Sequence, residues 1–345
     1  MSRVQLAILS AIVAMAALPS RSFAVTNAVV GTCKTGTQFT TIQAAVKAAT
    51  AGSTVQVCPG VYPEQVAIGT NLTLKGVTSG TSASVTITQP AGGLLPNAVS
   101  GLFGTLAVQL YVRATNVTIS GIAVDGTLPS TAAACSSNSA RWVGIMYQGG
   151  GGTLTGSSVL NAGCPGGISV FTDATPNAMS ITNNVILNCG VSCIEVDYAD
   201  TTTVTTAITG NTISVSPGNA VAQIGNTLGV EIQYAAGTLK VLNNFISDVG
   251  MGVLIENSQG VAVTGNTVAE CQAGIVLGLV TASTVQSNHI AGALYGVYLQ
   301  DANGSGGNTI TKNTILNSQI GLDLLTPSGD VIAPNTYGNV QQTHN

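Results

Sequence analysis

Val263-Thr264-Gly265-Asn266-Thr267-Val268, then Val285-Gln286-Ser287-Asn288-His289-Ile290, then Ile310-Thr311-Lys312-Asn313-Thr314-Ile315: one phrase, apolar–x–x–Asn–x–apolar, returns three times in succession. Outward from these, the same phrase surrounds Asn184, Asn211 and Asn244. From Asn244 to Asn313 the asparagines lie 22, 22 and 25 residues apart. A fixed period in this range marks stacked supersecondary units, none of which buries its apolar face alone. A second phrase, a small residue followed by apolar–x–apolar, recurs once per unit. It reads Gly144-Ile145-Met146-Tyr147, Gly167-Ile168-Ser169-Val170, Cys193-Ile194-Glu195-Val196 and Gly229-Val230-Glu231-Ile232, and ends at Gly321-Leu322-Asp323-Leu324. Strand alternation turns the two apolar residues inward and the residue between them outward. Asn suits its column because it tolerates the left-handed backbone of a tight turn, and because stacked amides hydrogen-bond along a ladder.

Short strands per unit, no crossover helices and a coil near 22 residues imply parallel strands wound as a solenoid, a single domain over 25–345 with regular coils over about 142–340. Coils lengthen between Asn184 and Asn211 and between Asn211 and Asn244, and such insertions build a binding face. Residues 89–106 and 127–141 lack the rhythm and are expected to project as loops. One helix is expected, over 39–52. Thr40 is its N-cap with Gln43 as capping-box partner, Ile42, Ala45, Val46 and Ala49 form the apolar stripe, and Gly52 is the stop. That helix caps the exposed first coil.

Arg3, the apolar run Val4–Leu18 and Ser22-Phe23-Ala24 read as a secretory signal cut after Ala24, an uncleaved anchor being the alternative. No later run is long enough to span a membrane. Charged residues are 6% of the chain, against about 25% in ordinary domains. Without Arg3 and Arg21 the net charge is −6. That excludes a nucleic-acid or acidic-lipid partner, either of which requires a basic footprint. The chain is expected in the secreted fraction, cell envelope or periplasm, as a monomer.

Seven cysteines in an exported chain imply disulfides. Cys33 and Cys58 flank the helix and are the best pair. Cys135 with Cys164 would staple the 127–141 insertion, and Cys189 with Cys193 is a further candidate. Cys271 shares a column of small residues with Ala162, Cys189, Val249, Ala293 and Ser318, so it is expected to be a buried free thiol. No Cys/His spacing suggests zinc.

The phrases Phe39-Thr40-Thr41-Ile42-Gln43-Ala44-Ala45-Val46 and Pro59-Gly60-Val61-Tyr62-Pro63-Glu64-Gln65-Val66, with the Asn-x-apolar coils, resemble the pectin-lyase-like superfamily. The resemblance implies an all-β, single-stranded, right-handed parallel β-helix. It covers nearly all of the chain after residue 24 and is specific for fold rather than activity, since members include polysaccharide lyases, pectinesterases, polygalacturonases, uronan epimerases and surface proteins. The reactive phrases of pectinesterases and polygalacturonases are missing, so Glu64 reads as a capping or salt-bridging residue. No Arg or Lys falls on the outward column of the regular coils, where a lyase would carry its base.

A concentration of carboxylates remains. Glu195 and Asp197 lie outward on one strand, Glu231 and Gln233 match them one coil later, and Glu256 matches Asp197 a further coil on. Like charges at that spacing disfavour joint ionisation and raise at least one pKa. Glu195, Asp197, Glu231 and Glu256 are therefore the candidate catalytic residues, as acid and base in sugar cleavage or as a calcium cradle. Tyr147, Phe171, Tyr198 and Tyr234 lie near in register. Tyr147, Tyr198, Gln233 and Tyr234 are the candidate substrate-binding residues, with polysaccharide as the expected partner. The alternative is a non-catalytic surface, adhesive or structural β-helix whose acids merely solvate a sheet face.

Overall fold

The computed structural model describes residues 25–78, 84–101, 103–127, 141–162, 166–171, 178–201, 205–216, 227–236, 238–299, 305–324 and 329–344. The signal segment, the Cys135–Cys164 pair, most of the 127–141 loop and residues 217–226 of the lengthened coil between Asn211 and Asn244 lie outside them.

Among the described residues, the strands form three long sheets of 12, 11 and 12 strands. Each regular coil contributes one strand to each sheet, so hydrogen-bonded neighbours come from successive coils. In one such set, Leu239–Leu242 pairs with Ala262–Thr264, Phe245–Ser247 with Thr267–Ala269, and Met251–Glu256 with Ala273–Gly278, all parallel. The coils start earlier than the phrases suggest, for Val25–Val30 and Ala49–Val57 already belong to the first sheet. The expected loop 89–106 is partly a hairpin. Ala98–Ser100 runs antiparallel to Gly104–Val112, and the latter strand then joins the third sheet. Gly104–Val112 escapes sequence reading because all but its first two residues are buried on both faces, which leaves no alternation.

Among the described residues the main apolar core runs from Val25 to Leu324. The helix spans Ile42–Ala48 and adds Ile42, Ala45 and Val46 to that core. It is shorter than expected at both ends. Thr41, not Thr40, is the N-cap and accepts from Ala44 N–H at 3.2 Å. The Glu64 carboxylate also accepts from the N–H groups of Ile42 and Gln43, at 2.8 and 2.9 Å, at the positive end of the helix dipole. Gln43 is therefore not the capping-box partner; its side chain binds the Ala67 backbone, accepting from Ala67 N–H at 2.7 Å. The helix ends before Gly52 because Ala49–Val57 is already strand.

The asparagine column is a buried amide ladder. Asn184, Asn211, Asn244, Asn266, Asn288 and Asn313 each donate, through backbone N–H and Nδ2, to the Oδ1 of the next asparagine at 2.9–3.0 Å. Asn335 closes the series, in a phrase that ends on Tyr337 rather than an aliphatic residue. The asparagine itself is not the left-handed residue of the turn. The left-handed residue is the one before it: Asn183 at φ 55°, Gly210 at 66°, Asn243 at 52°, Gly265 at 69°, Ser287 at 55° and Lys312 at 58°. The column wants Asn for its amide alone, which satisfies the turn's polar backbone away from water.

The small-residue column has an equally local cause. A Cβ on Gly274 would stand 2.5 Å from the Gly296 carbonyl oxygen and 2.6 Å from Ile290 Cγ2, and Gly229, Gly252 and Gly296 face the same conflict. Cys33–Cys58 and Cys189–Cys193 are disulfides. Cys271 is a free, buried thiol, and burial pushes it up to about 12.

Gly274→Ala should lower stability by about 1–3 kcal/mol in denaturant unfolding. Gly69→Ala, where a Cβ meets nothing within 4 Å, should stay within about 0.5 kcal/mol of wild type. Asn266→Ala, which strips the acceptor from the Asn244 N–H, should cost about 1–3 kcal/mol. Equal stability of all three variants would refute the two ladders.

Candidate functional site

The site is built on the outward face of the third sheet. Ladder pairing there puts Ser169, Glu195, Glu231 and Leu254 in one column, and Phe171, Asp197, Gln233 and Glu256 in the next. The expected stacking of Glu195 on Glu231 is present, with backbones one strand spacing, about 4.8 Å, apart. Both carboxyls are outward from the coil core yet removed from water: Glu195 is 1% and Glu231 8% accessible. Asp197 and Glu256 are half-buried.

Neighbouring donors hold the pair. Ser169 Oγ donates to Glu195 Oε2 at 3.1 Å. Ser192 Oγ donates to Glu231 Oε2 in a short hydrogen bond. Gln233 Nε2 donates to Glu231 Oε1 at 2.6 Å and to Glu256 Oε2 at 3.3 Å. Burial raises the Glu231 carboxyl above its usual range, and the charges of Glu256 and Asp197 push the same way. The hydrogen bonds from Ser192 and Gln233 oppose the rise without cancelling it. Glu231 is thus a carboxyl biased towards keeping its proton beside a second buried carboxyl, the arrangement general acid–base chemistry uses.

Two apolar patches flank this polar island on the same face. On the N-terminal side Phe171 packs with Tyr111, Val143 and Met146 and meets Phe103 edge-on, 6.1 Å between ring centres. On the C-terminal side Leu254, Ala273 and Val276 pack with Met251, and Tyr295 stacks on Tyr298 at 5.2 Å.

The tyrosines fare differently from one another. Tyr147 does not reach the face. It pairs in register with Val112 and Val170, is fully buried in the main core, and its hydroxyl has no partner. It is the second apolar residue of its own phrase, so strict alternation already turns it inward. Tyr234 is 50% exposed, in a left-handed backbone at φ 53°. The Tyr198 side chain lies outside the described residues. Ser169 and Ser192 were missed. Ser169 occupies the outward slot of its phrase, as Glu195 does, and was readable; Ser192 precedes its phrase and carried no signal.

The sequence matches no curated protein. A family model described as periplasmic copper-binding protein (NosD) matches residues 208–345. Among solved structures, the surface protein and adhesin PfbA of Streptococcus pneumoniae is similar at TM-score 0.61 and 12% identity, over 88% of this chain and 94% of that one. The DFA-IIIase of Arthrobacter chlorophenolicus A6 in complex with DFA-III is similar at TM-score 0.60 and 16% identity, over 90% and 84%. The mannuronan C-5 epimerase AlgE6 A-module of Azotobacter vinelandii follows at TM-score 0.51 and 16% identity, over 88% and 90%. The fold is the right-handed parallel β-helix shared by these structures. At these identities the likeness extends to the fold alone.

Among the described residues of the matched segment no copper site assembles. Among the described residues no three His, Cys, Asp or Glu side chains converge as metal ligands. The Cys271 thiol is buried and protonated, and His289 is exposed between Thr267 and Thr314. The four acids form no such convergent group among the described residues either. No helix among the described residues is long and apolar enough to cross a membrane.

Because the folded-state pKa of Glu231 is raised, the native state holds this proton more tightly than the unfolded chain does. The resulting stability is present below the usual carboxylate range, near pH 4, and is lost as pH rises through the folded value. Glu231→Gln should therefore gain stability relative to wild type as pH rises above about 4, read as a widening gap between melting temperatures. A gap independent of pH would refute the raised carboxyl.

Proposed function

We propose that this is an exported, single-stranded, monomeric β-helix that binds polysaccharide along the outward face of its third sheet. In this reading the helix Ile42–Ala48 closes the N-terminal end of the coil. The supporting observation is the polar island itself: two buried carboxyls stacked in register, one with a raised pKa, between two apolar and aromatic patches on an otherwise charge-poor protein. Glu231 is the proton donor and Glu195 the carboxylate partner in cleavage or modification of the bound sugar, with Asp197, Gln233 and Glu256 lining the same face. Tyr234 offers an exposed ring to the sugar, and Tyr198, on the adjoining strand, is the second candidate. The two disulfides and the periplasmic family whose model matches the C-terminal part support export.

One observation favours a second reading, binding without turnover. Glu195 is almost wholly inaccessible, and an adhesin is among the proteins of similar fold. A polysaccharide panel separates the two. Turnover should generate new reducing ends or altered sugars and fall at least about a hundredfold in Glu231→Gln and Glu195→Gln, the scale of a lost general acid or base. Retained binding with no product in wild type would leave the adhesive reading. No binding to any glycan would end both.

A further inference from the structure

A second feature of the same face lies towards the N-terminus. A cavity of about 540 Å³ is lined by Asn97, Val99, Thr105, Tyr111, Arg113 and Gln148, among others, a size typical of small-ligand sites. Its walls are fixed by hydrogen bonds. The Tyr111 hydroxyl donates to Gln148 Oε1 in a short bond, and Gln148 Nε2 donates to the Val99 carbonyl at 2.6 Å. Asn97 exchanges two bonds with Val108, at 2.8 and 2.9 Å. Arg113 is the one formally charged residue of this lining. Its guanidinium stands over the Tyr111 ring, 6.0 Å from the centroid. No carboxylate among the described residues pairs with it, although the chain carries 13 acids against 9 basic residues. A guanidinium beside an aromatic ring and unpaired with any described carboxylate has N–H donors available to grip a ligand carboxylate with two parallel bonds.

Register places this cation relative to the acids. Val112, Tyr147, Val170 and Val196 are successive ladder partners, and Arg113 and Asp197 each follow one of the end members. Three coil spacings, about 14 Å, therefore separate Arg113 from Asp197. A chain lying along this face meets positive charge at one end and four carboxyls at the other. A glycan charged at every residue would place carboxylates against Asp197 and Glu256, the half-buried acids of that stretch, where like charges repel.

We propose that the Arg113 cavity is a carboxylate subsite, and that the protein selects glycans bearing an isolated acidic sugar, held at Arg113, with neutral sugars over the acids. This rests on the polysaccharide-binding reading above and adds the ligand's charge pattern.

The test is calorimetric titration of wild type and Arg113→Gln at pH 7 in chelator. The ligands are oligosaccharides of one length: neutral, bearing one uronic acid at either end, or composed wholly of uronic acids. Wild type should prefer one of the singly acidic ligands to the neutral one by about tenfold or more, the scale of a charge-assisted bond. The fully acidic ligand should bind more weakly than that one. Arg113→Gln, at an exposed position, should lose the preference while binding the neutral ligand unchanged. Equal binding of the singly acidic ligand by both proteins overturns the subsite, as does tightest binding of the fully acidic one. Neutral binding with no acidic preference ends this inference and leaves the broader reading standing; no binding by wild type ends both.

Discussion

Everything in this molecule depends on coils stacking in register at the spacing of a parallel ladder. That spacing is fixed by backbone hydrogen bonds, so each turn must repeat with the same geometry and satisfy its own polar groups without water. The buried amide ladder from Asn184 to Asn335 meets the second demand. The glycines facing the next coil's carbonyl meet the first, because a Cβ there has no room. Left-handed residues just before the ladder asparagines from Asn184 to Asn313 turn the chain from one sheet to the next. None of these devices is a binding feature, yet they decide which residues reach the outside.

Stacking converts sequence repeats into columns, and the outward columns of the third sheet change character along the axis. Tyr111 and Met146 belong to one apolar patch, Ser169, Glu195 and Glu231 to a polar stretch, and Leu254, Val276 and Tyr298 to a second apolar patch. The patches are packed, not bare, so the carboxyls between them sit in a poorly hydrated setting. That setting, more than mutual repulsion, raises Glu231: burial is the largest cause and the neighbouring acids come after it.

The register of the acids was legible in the sequence, since the phrases around Glu195 and Glu231 align without ambiguity and the ladder pairs them as read. So were Cys33–Cys58, the helix stripe and the buried Cys271 column. Misreadings came where a local rule met tertiary context. Gly52 looked like a helix stop, but the following strand had already ended the helix. Tyr147 looked like a ring for sugar although its parity placed it in the core. Arg113 carried no signal, because it follows a strand buried on both faces and stands outside the repeated phrases.

Periodicity by itself determined the architecture and which side chains share a column, because a strand has two faces and a solenoid has one repeat. Only the folded chain decided how much water each column keeps. Accessibility at Glu195 and Glu231, the hydrogen bonds that reach them from neighbouring strands and the cavity lined by Arg113 depend on how side chains of successive coils pack together, and no local pattern encodes that packing.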